Sequence, residues 1–291
     1  MKKEIVIIGG GFAGINLAKR LTNTKGIHVT LVDKNNYNFF PPLLYQVATG
    51  FLEVSNICYP FRKLFHYKRN ISFRLGELQK IVPEQNKVVL STGQLSYDYL
   101  VLATGTESNY FGMENVRANA VPMKTIQDAL ALRNHILRLK EVAAKETDSA
   151  ARRRLLSIVV AGAGPTGVEI SGMLAEMHKS IFKKDYPELR KEDVQIYLVD
   201  ALPVVLNPMS KKSQEETLAE LRVRLILWIC SSGASAIATP HDAAAAANTL
   251  TTMTSYDDGT GGTSAQVWMI APGRVLAIQR EDLEEQPSHR P

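Results

Sequence analysis

Cysteine is scarce in this chain, with only Cys58 and Cys230 among 291 residues. They stand too far apart for a CxxC or CxxxxC motif, which excludes a local redox-active disulfide, and so low a count suits a reducing compartment. His and Cys do not cluster at metal-ligand spacing, so no metal is expected. No apolar run approaches the length of a membrane-spanning helix. Met1-Lys2-Lys3 and the apolar run behind it have the outline of a signal peptide, but three glycines break that run and a polar-faced helix carrying Asn16, Lys19 and Arg20 follows, which rules the reading out. Helix-turn-helix, RRM and zinc-finger patterns are missing too, so no nucleic acid is expected. Two residue types also vanish late in the chain: all 18 lysines lie within the first 212 residues, and every phenylalanine lies at or before Phe182.

The remaining composition, 45% hydrophobic and 22% charged, is that of an ordinary globular protein, and the length suffices for two domains. The net charge of +5 is uneven: residues 1–222 hold 30 basic and 22 acidic side chains, residues 223–291 hold 4 and 7. A basic body favours an anionic membrane surface. A solvated surface, with Arg152-Arg153-Arg154 on an exposed turn, explains the charge equally well.

Two glycine fingerprints carry the chemistry. Gly9-Gly10-Gly11-Phe12-Ala13-Gly14 follows Ile5-Val6-Ile7-Ile8, and Gly162-Ala163-Gly164-Pro165-Thr166-Gly167 follows Ile158-Val159-Val160. In such a turn the first glycine permits the tight exit from the strand, the second lets the backbone approach a pyrophosphate, and the third lets the helix pack closely on the strand. The pyrophosphate then rests on the unpaired N–H groups of the helix start. A second strand ending in an acid should follow each turn to bind the ribose hydroxyls. His28–Val32 ends at Asp33, and Val194–Val199 ends at Asp200. Asp200 comes later after its fingerprint than Asp33 does, so the polar segment Glu176–Lys191 must lengthen the second helix or its loop. Two complete units imply two nucleotide sites that face each other, the layout of an enzyme passing a hydride from a nicotinamide to a flavin.

Between and after these units the chain reads as follows. Residues 35–50 form a loop rich in aromatics and proline. Ile71–Leu75, Lys87–Leu90 and Tyr97–Ala103 are strand-like, the last running into Thr104-Gly105. Apolar residues from Ala129 to Leu139 recur at helical spacing, predicting a helix over 126–145. A polar, Arg-rich turn spans 146–154. Ser213-Gln214-Glu215-Glu216 is a capping box that opens a helix toward Arg222.

Residues 1–222 resemble the amino-terminal half of the type II NADH dehydrogenases, single-subunit, non-proton-pumping NADH:quinone oxidoreductases. The segments that carry the likeness are IVIIGGGFAGINLAKRL, LVDKNNYNFFPPLLYQVATG, YDYLVLATGTESNYFGM, IQDALALRNHI and VVAGAGPTGVEISGMLAEM. The resemblance implies an α/β fold of two Rossmann-like domains, an FAD domain with an inserted NADH domain. By it, Gly9, Gly11, Gly14 and Asp33 hold the FAD pyrophosphate and ribose, Thr104 and Gly105 form a second flavin-contacting turn, and Pro42 and Leu43 lie close to the isoalloxazine. Gly162, Gly164, Gly167 and Asp200 bind NADH. Glu169 matches a family glutamate near the nicotinamide–flavin contact; a first-turn acid complementing the helix dipole is the structural alternative. Tyr45 and Gln46 divide evenly between packing and quinone contact. The cofactors implied are FAD and NADH and the acceptor a quinone, with peripheral attachment to the inner face of the cell membrane and a homodimer as further family traits. A soluble reductase relative and a non-catalytic nucleotide-binding fragment are the competing readings.

Family-like sequence stops near Arg222. The domains expected are therefore 1–119 for FAD, 120–222 for an incomplete NADH domain, and a non-family, irregular tail over 223–291, which a reading-frame shift would explain. Only Leu225–Ile229 has the character of a makeshift strand. Weak flavin retention and little activity are expected as a result.

Overall fold

The computed structural model describes residues 2–110, 112, 114–200, 202–224, 226–230, 266–271 and 274–279, the last three as backbone. By internal contacts the chain divides into two compact units, residues 1–40 with 53–106, and residues 41–52 with 107–291. The boundary expected at residue 119 falls inside the second unit.

The first unit is built on a parallel four-stranded sheet. Its strands are β1 (Lys3–Ile8), β2 (Ile27–Asp33), β5 (Ile71–Leu75) and β9 (Tyr99–Leu102), in the order β5-β2-β1-β9. β1 is central, with β2 on one side and β9 on the other. The chain thus reverses direction across the sheet at β1, and the carboxyl end of β1 is the switch point where ligands of such sheets bind. The period of two sorts the core. Ile7, Val29 and Leu31 face helix α1 (Phe12–Arg20) and pack with Ile15, Ala18, Phe61 and Phe73. Val6, Ile8 and Val32 take the opposite face with Val88 and Leu90. Each such burial is worth about 1.5–3 kcal/mol. The second face belongs to an antiparallel three-stranded sheet of β6 (Leu78–Val82), β7 (Lys87–Leu90) and β8 (Gly93–Ser96). A small ribbon pairs β3 (Tyr37–Phe39) with β4 (Cys58–Pro60), flanked by the short helices α3 (Val54–Ile57) and α4 (Phe61–Leu64).

The second unit contains α2 (Leu44–Ala48), α5 (Glu114–Asn119), α6 (Ile126–Lys145) and α7 (Ser149–Leu156). Its sheet has the order β12-β11-β10-β13-β14, made of β10 (Ser157–Ala161), β11 (Gln195–Asp200), β12 (Ile226–Cys230), β13 (Gln266–Ala271) and β14 (Arg274–Gln279). The first three are parallel; β13 and β14 are an antiparallel hairpin added beside β10. Helix α8 (Pro165–Met177) leads into a π-helical turn, His178–Phe182, and one more turn, α9 (Lys183–Asp185), which supply the extension expected before Asp200. Helix α10 (Lys211–Val223) precedes β12.

Several local expectations are corrected. The Arg-rich turn at 146–154 is largely helix α7, because Asp148 caps it by accepting hydrogen bonds from the N–H groups of Ala150 and Ala151. Arg152 is not exposed: its Nε lies 3.0 Å from Oδ2 of Asp193, and both side chains are nearly buried. The cap of helix α10 lies three residues ahead of the expected one, with Ser210 accepting from Ser213 N–H. The loop at 35–50 contains β3, a 3-10 turn Pro41–Leu43 and α2. The makeshift strand is β12, and the segment expected to be otherwise irregular also carries the β13–β14 hairpin.

Candidate functional site

The glycines of the first fingerprint have separate physical causes. Gly9 has φ +104, a region side chains rarely adopt, and a Cβ there would stand 2.0 Å from the Ala103 carbonyl oxygen. A Cβ on Gly14 would stand 1.9 Å from the Gly9 oxygen, so helix and turn touch backbone to backbone. Gly11 differs from both. It caps α1 with an ordinary φ of −75, and nothing lies within 4 Å of the place a Cβ would occupy. Sequence reasoning missed the constraint on Gly10, where a Cβ would meet Cζ of the buried Phe61 at 2.2 Å.

The open space at Gly11 fits a pyrophosphate. No side chain caps α1 there and its first turn holds no acid, so the first N–H groups and the positive end of the dipole are available to an anion. Asp33 stands beside this turn at the end of β2, its Oδ2 accepting from Gly10 N–H at 2.7 Å and Oδ1 from Asn35 N–H at 2.7 Å. Each oxygen keeps a further lone pair for a ribose hydroxyl. Thr104 and Gly105 leave the neighbouring strand at the same carboxyl edge, exposed, with Gly105 at φ +73.

The second unit repeats the arrangement. Gly162 has φ +98, Gly164 caps α8 with no side-chain capping bond, Pro165 opens the helix, and Gly167 is buried within it. The first turn of α8 again lacks an acid. Asp200 Oδ2 accepts from Ala163 N–H at 2.5 Å and Oδ1 from Leu202 N–H at 2.8 Å. Two dinucleotide-type turns are thus closed by two carboxylates in the same way.

Pro42 and Leu43 belong to the second unit, where they lead into α2, which packs on α6 and α8. Glu169 lies in the second turn of α8 rather than the first, so the helix-dipole alternative loses its footing. It lines a cleft of about 560 Å³ between α8 and α10 with Tyr45, Val168, Met173 and Leu221. Although much of its surface is open, its recessed position pushes the carboxyl above the ordinary range by burial. Glu176, Glu216 and Glu220 share the cleft with Arg224, which lies 3.3 Å from Glu176 and 3.7 Å from Glu220. Tyr45, undecided from the sequence, lines the same cleft as Glu169.

Comparison with known proteins identifies the family. The family model of the pyridine nucleotide-disulphide oxidoreductases matches residues 3–279, and so continues past Arg222. A type II NADH:quinone oxidoreductase of Mycobacterium tuberculosis, NdhA, is 39% identical over 215 residues, which cover 72% of this chain and 46% of the relative. The external alternative NADH-ubiquinone oxidoreductase of Yarrowia lipolytica mitochondria is 32% identical over 240 residues, 77% of this chain and 41% of the relative. Among solved structures, NDH2 from Plasmodium falciparum in complex with NADH superposes with a TM-score of 0.74 at 24% identity, covering 79% of this chain and 48% of that one. A sulfide:quinone oxidoreductase from Aquifex aeolicus gives 0.62 at 21% identity, covering 95% and 56%. The chain spans about half the length of the curated relatives it matches. With paired glycine turns, paired carboxylates and a family model spanning nearly all of its residues, the chain belongs to the pyridine nucleotide-disulphide oxidoreductase family.

Proposed function

We propose that this chain carries the two nucleotide-binding units of a flavin-dependent NADH:quinone oxidoreductase of type II. The observation that carries the reading is the duplicated unit, in which an uncapped helix start with open space at Gly11 or an extended Gly164 stands beside a fixed acid. The first unit takes FAD through Gly9, Gly11, Gly14, Asp33, Thr104 and Gly105; Pro42 and Leu43 are assigned to the flavin by family resemblance. The second takes NADH through Gly162, Gly164, Gly167 and Asp200. A bound flavin supplies the chemistry, accepting a hydride and passing on two electrons to a quinone.

The chain's residues then bind, orient and manage protons. Asp200 accepts hydrogen bonds from a ribose 2′-hydroxyl and repels a 2′-phosphate, which favours NADH over NADPH. Glu169, with its carboxyl raised by burial, holds a proton to higher pH than a surface glutamate and is placed to exchange it in the cleft. Among the described residues no helix is long and apolar enough to cross a membrane. Peripheral attachment at the inner face of the cell membrane and homodimer formation are proposed on family resemblance.

The test is a pair of variants assayed for NADH oxidation with a soluble quinone. Both Gly11→Ala and Gly164→Ala should abolish turnover, with flavin lost from Gly11→Ala and retained by Gly164→Ala. Equal flavin retention in both would refute the assignment of the first unit.

A further inference from the structure

In each unit the second residue of the fingerprint is held through both its N–H and its carbonyl, and so through the two peptide planes that flank it. Gly10 N–H donates to Asp33, and the Gly10 carbonyl accepts from Nδ2 of Asn38 at 3.2 Å. A third constraint closes the remaining side: the Phe61 ring occupies the space of a Cβ on Gly10, and that ring is stacked on Phe73 with centroids 4.8 Å apart. Asn38 and Phe61 reach the turn through one device. β3 carries Asn38, its partner strand β4 leads directly into α4, and Phe61 opens α4 with its N–H on the Asn36 carbonyl.

The second unit meets the same requirement by different means. Ala163 N–H donates to Asp200, and the Ala163 carbonyl accepts from Leu206 N–H at 2.8 Å. Leu206 reaches that position at φ +50, the left-handed region, which a leucine enters only at a cost in strain. Its own segment is pinned by Gln214 of α10, whose Nε2 donates to the carbonyls of Leu206, Asn207 and Met209. A side-chain amide in one unit and a strained backbone N–H in the other end on the same atom, each five or six residues after its acid. Two unrelated solutions to one geometric demand indicate that the demand is functional.

We propose that Asn38 and Leu206 are positioning residues, each completing a clamp that fixes a glycine turn in its nucleotide-receiving conformation before the nucleotide arrives. The proposal rests on the reading of these turns as nucleotide sites. The clamp orients the peptide planes next to Gly11 and Gly164, so less ordering remains to be done on binding.

The test uses the whole chain. Asn38→Leu removes the donor at similar volume. In protein without added flavin, amide exchange at Gly10 and Gly11 should rise, while protection of β1 and β2 and the melting temperature stay near wild type. FAD affinity should fall about threefold to tenfold, the worth of one neutral hydrogen bond. Asn38→Asp, which turns an acceptor toward the Gly10 carbonyl and the pyrophosphate, should fall further. Unchanged exchange at Gly10 and Gly11 in Asn38→Leu overturns the clamp. Should that variant not fold, Asn38→Ser is read by the same exchange criterion. If wild-type protein takes up no FAD while the exchange difference stands, the flavin reading fails and the clamp survives.

Discussion

At the scale of single residues, four neighbouring glycines should respond differently to the same substitution. Gly14→Ala and Gly9→Ala drive a Cβ into backbone, and Gly10→Ala drives one into a fully buried ring, so each should cost about 1–3 kcal/mol or more in denaturant unfolding. Gly11→Ala has open space and an ordinary φ, and should fold like wild type while losing flavin. Unequal melting with equal loss of flavin is the pattern to look for. Lys140 gives a second residue-scale prediction. It is buried, with its Nζ 3.8 Å above the Phe182 ring, beside His135 and His178, and burial holds its amine down to about pH 7. Between about pH 7 and 10.5 the unfolded chain binds a proton that the folded chain does not, so stability rises with pH across that window. Below pH 7 both states are protonated and the penalty is greatest. Lys140→Met should therefore stabilise the fold by a few kcal/mol at neutral pH and below, and remove the rise; a parallel pH profile in wild type and variant would contradict it. The sequence held the clue, because Lys140 follows Ile136 by four on the stripe that buries Ile126, Ala129 and Leu132. The constraint on Gly10 had no such signal, since it comes from Phe61, fifty-one positions away.

At the scale of elements, the strands and helices of both nucleotide units were legible because each is an apolar run bounded by glycine and acid. Helix α7 was not: its three arginines read as a polar turn, yet arginine is a good helix former and Asp148 is a good cap. The turn–acid pairing supports a prediction for Asp200→Ala. It should narrow the gap between NADH and NADPH by weakening NADH, and it should not simply transfer affinity to NADPH, because the same carboxylate also holds Ala163 and Leu202. A fluorescence titration with both nucleotides decides this; undiminished NADH binding would sink it. Ribbon strand β4 contributes Cys58, a half-buried thiol rather than the core thiol its apolar neighbours suggest. Burial pushes that thiol up, away from the thiolate form. Cys58→Ser should keep whatever flavin binding and NADH oxidation the parent has. The side chain of Cys230 lies outside the described residues. Glu169→Gln should flatten the limb of the pH–rate profile that titrates above the ordinary glutamate range, with NADH binding retained.

At the scale of the whole molecule, the chain comprises two α/β units and matches the pyridine nucleotide-disulphide oxidoreductase family to residue 279; the chemistry we propose for it is a hydride passed from NADH to a flavin. Residues 226–230, 266–271 and 274–279 form strands on both sides of the β10–β11 pair, and a sequence with no lysine and little periodicity gave only the first of them away. The hairpin pairs neighbouring segments, but its seat in the sheet, residues 159 and 160 against 270 and 269, joins distant parts of the chain, and nothing in the flanking sequence marks that pairing. The most direct measurement is an anaerobic titration of purified chain, saturated with FAD and then freed of excess, with NADH followed in the flavin's visible spectrum. The account predicts flavin bound at up to one per chain, bleached by NADH and restored on adding a soluble quinone. A chain that binds no flavin at saturating FAD, or whose bound flavin NADH leaves oxidised, would contradict it.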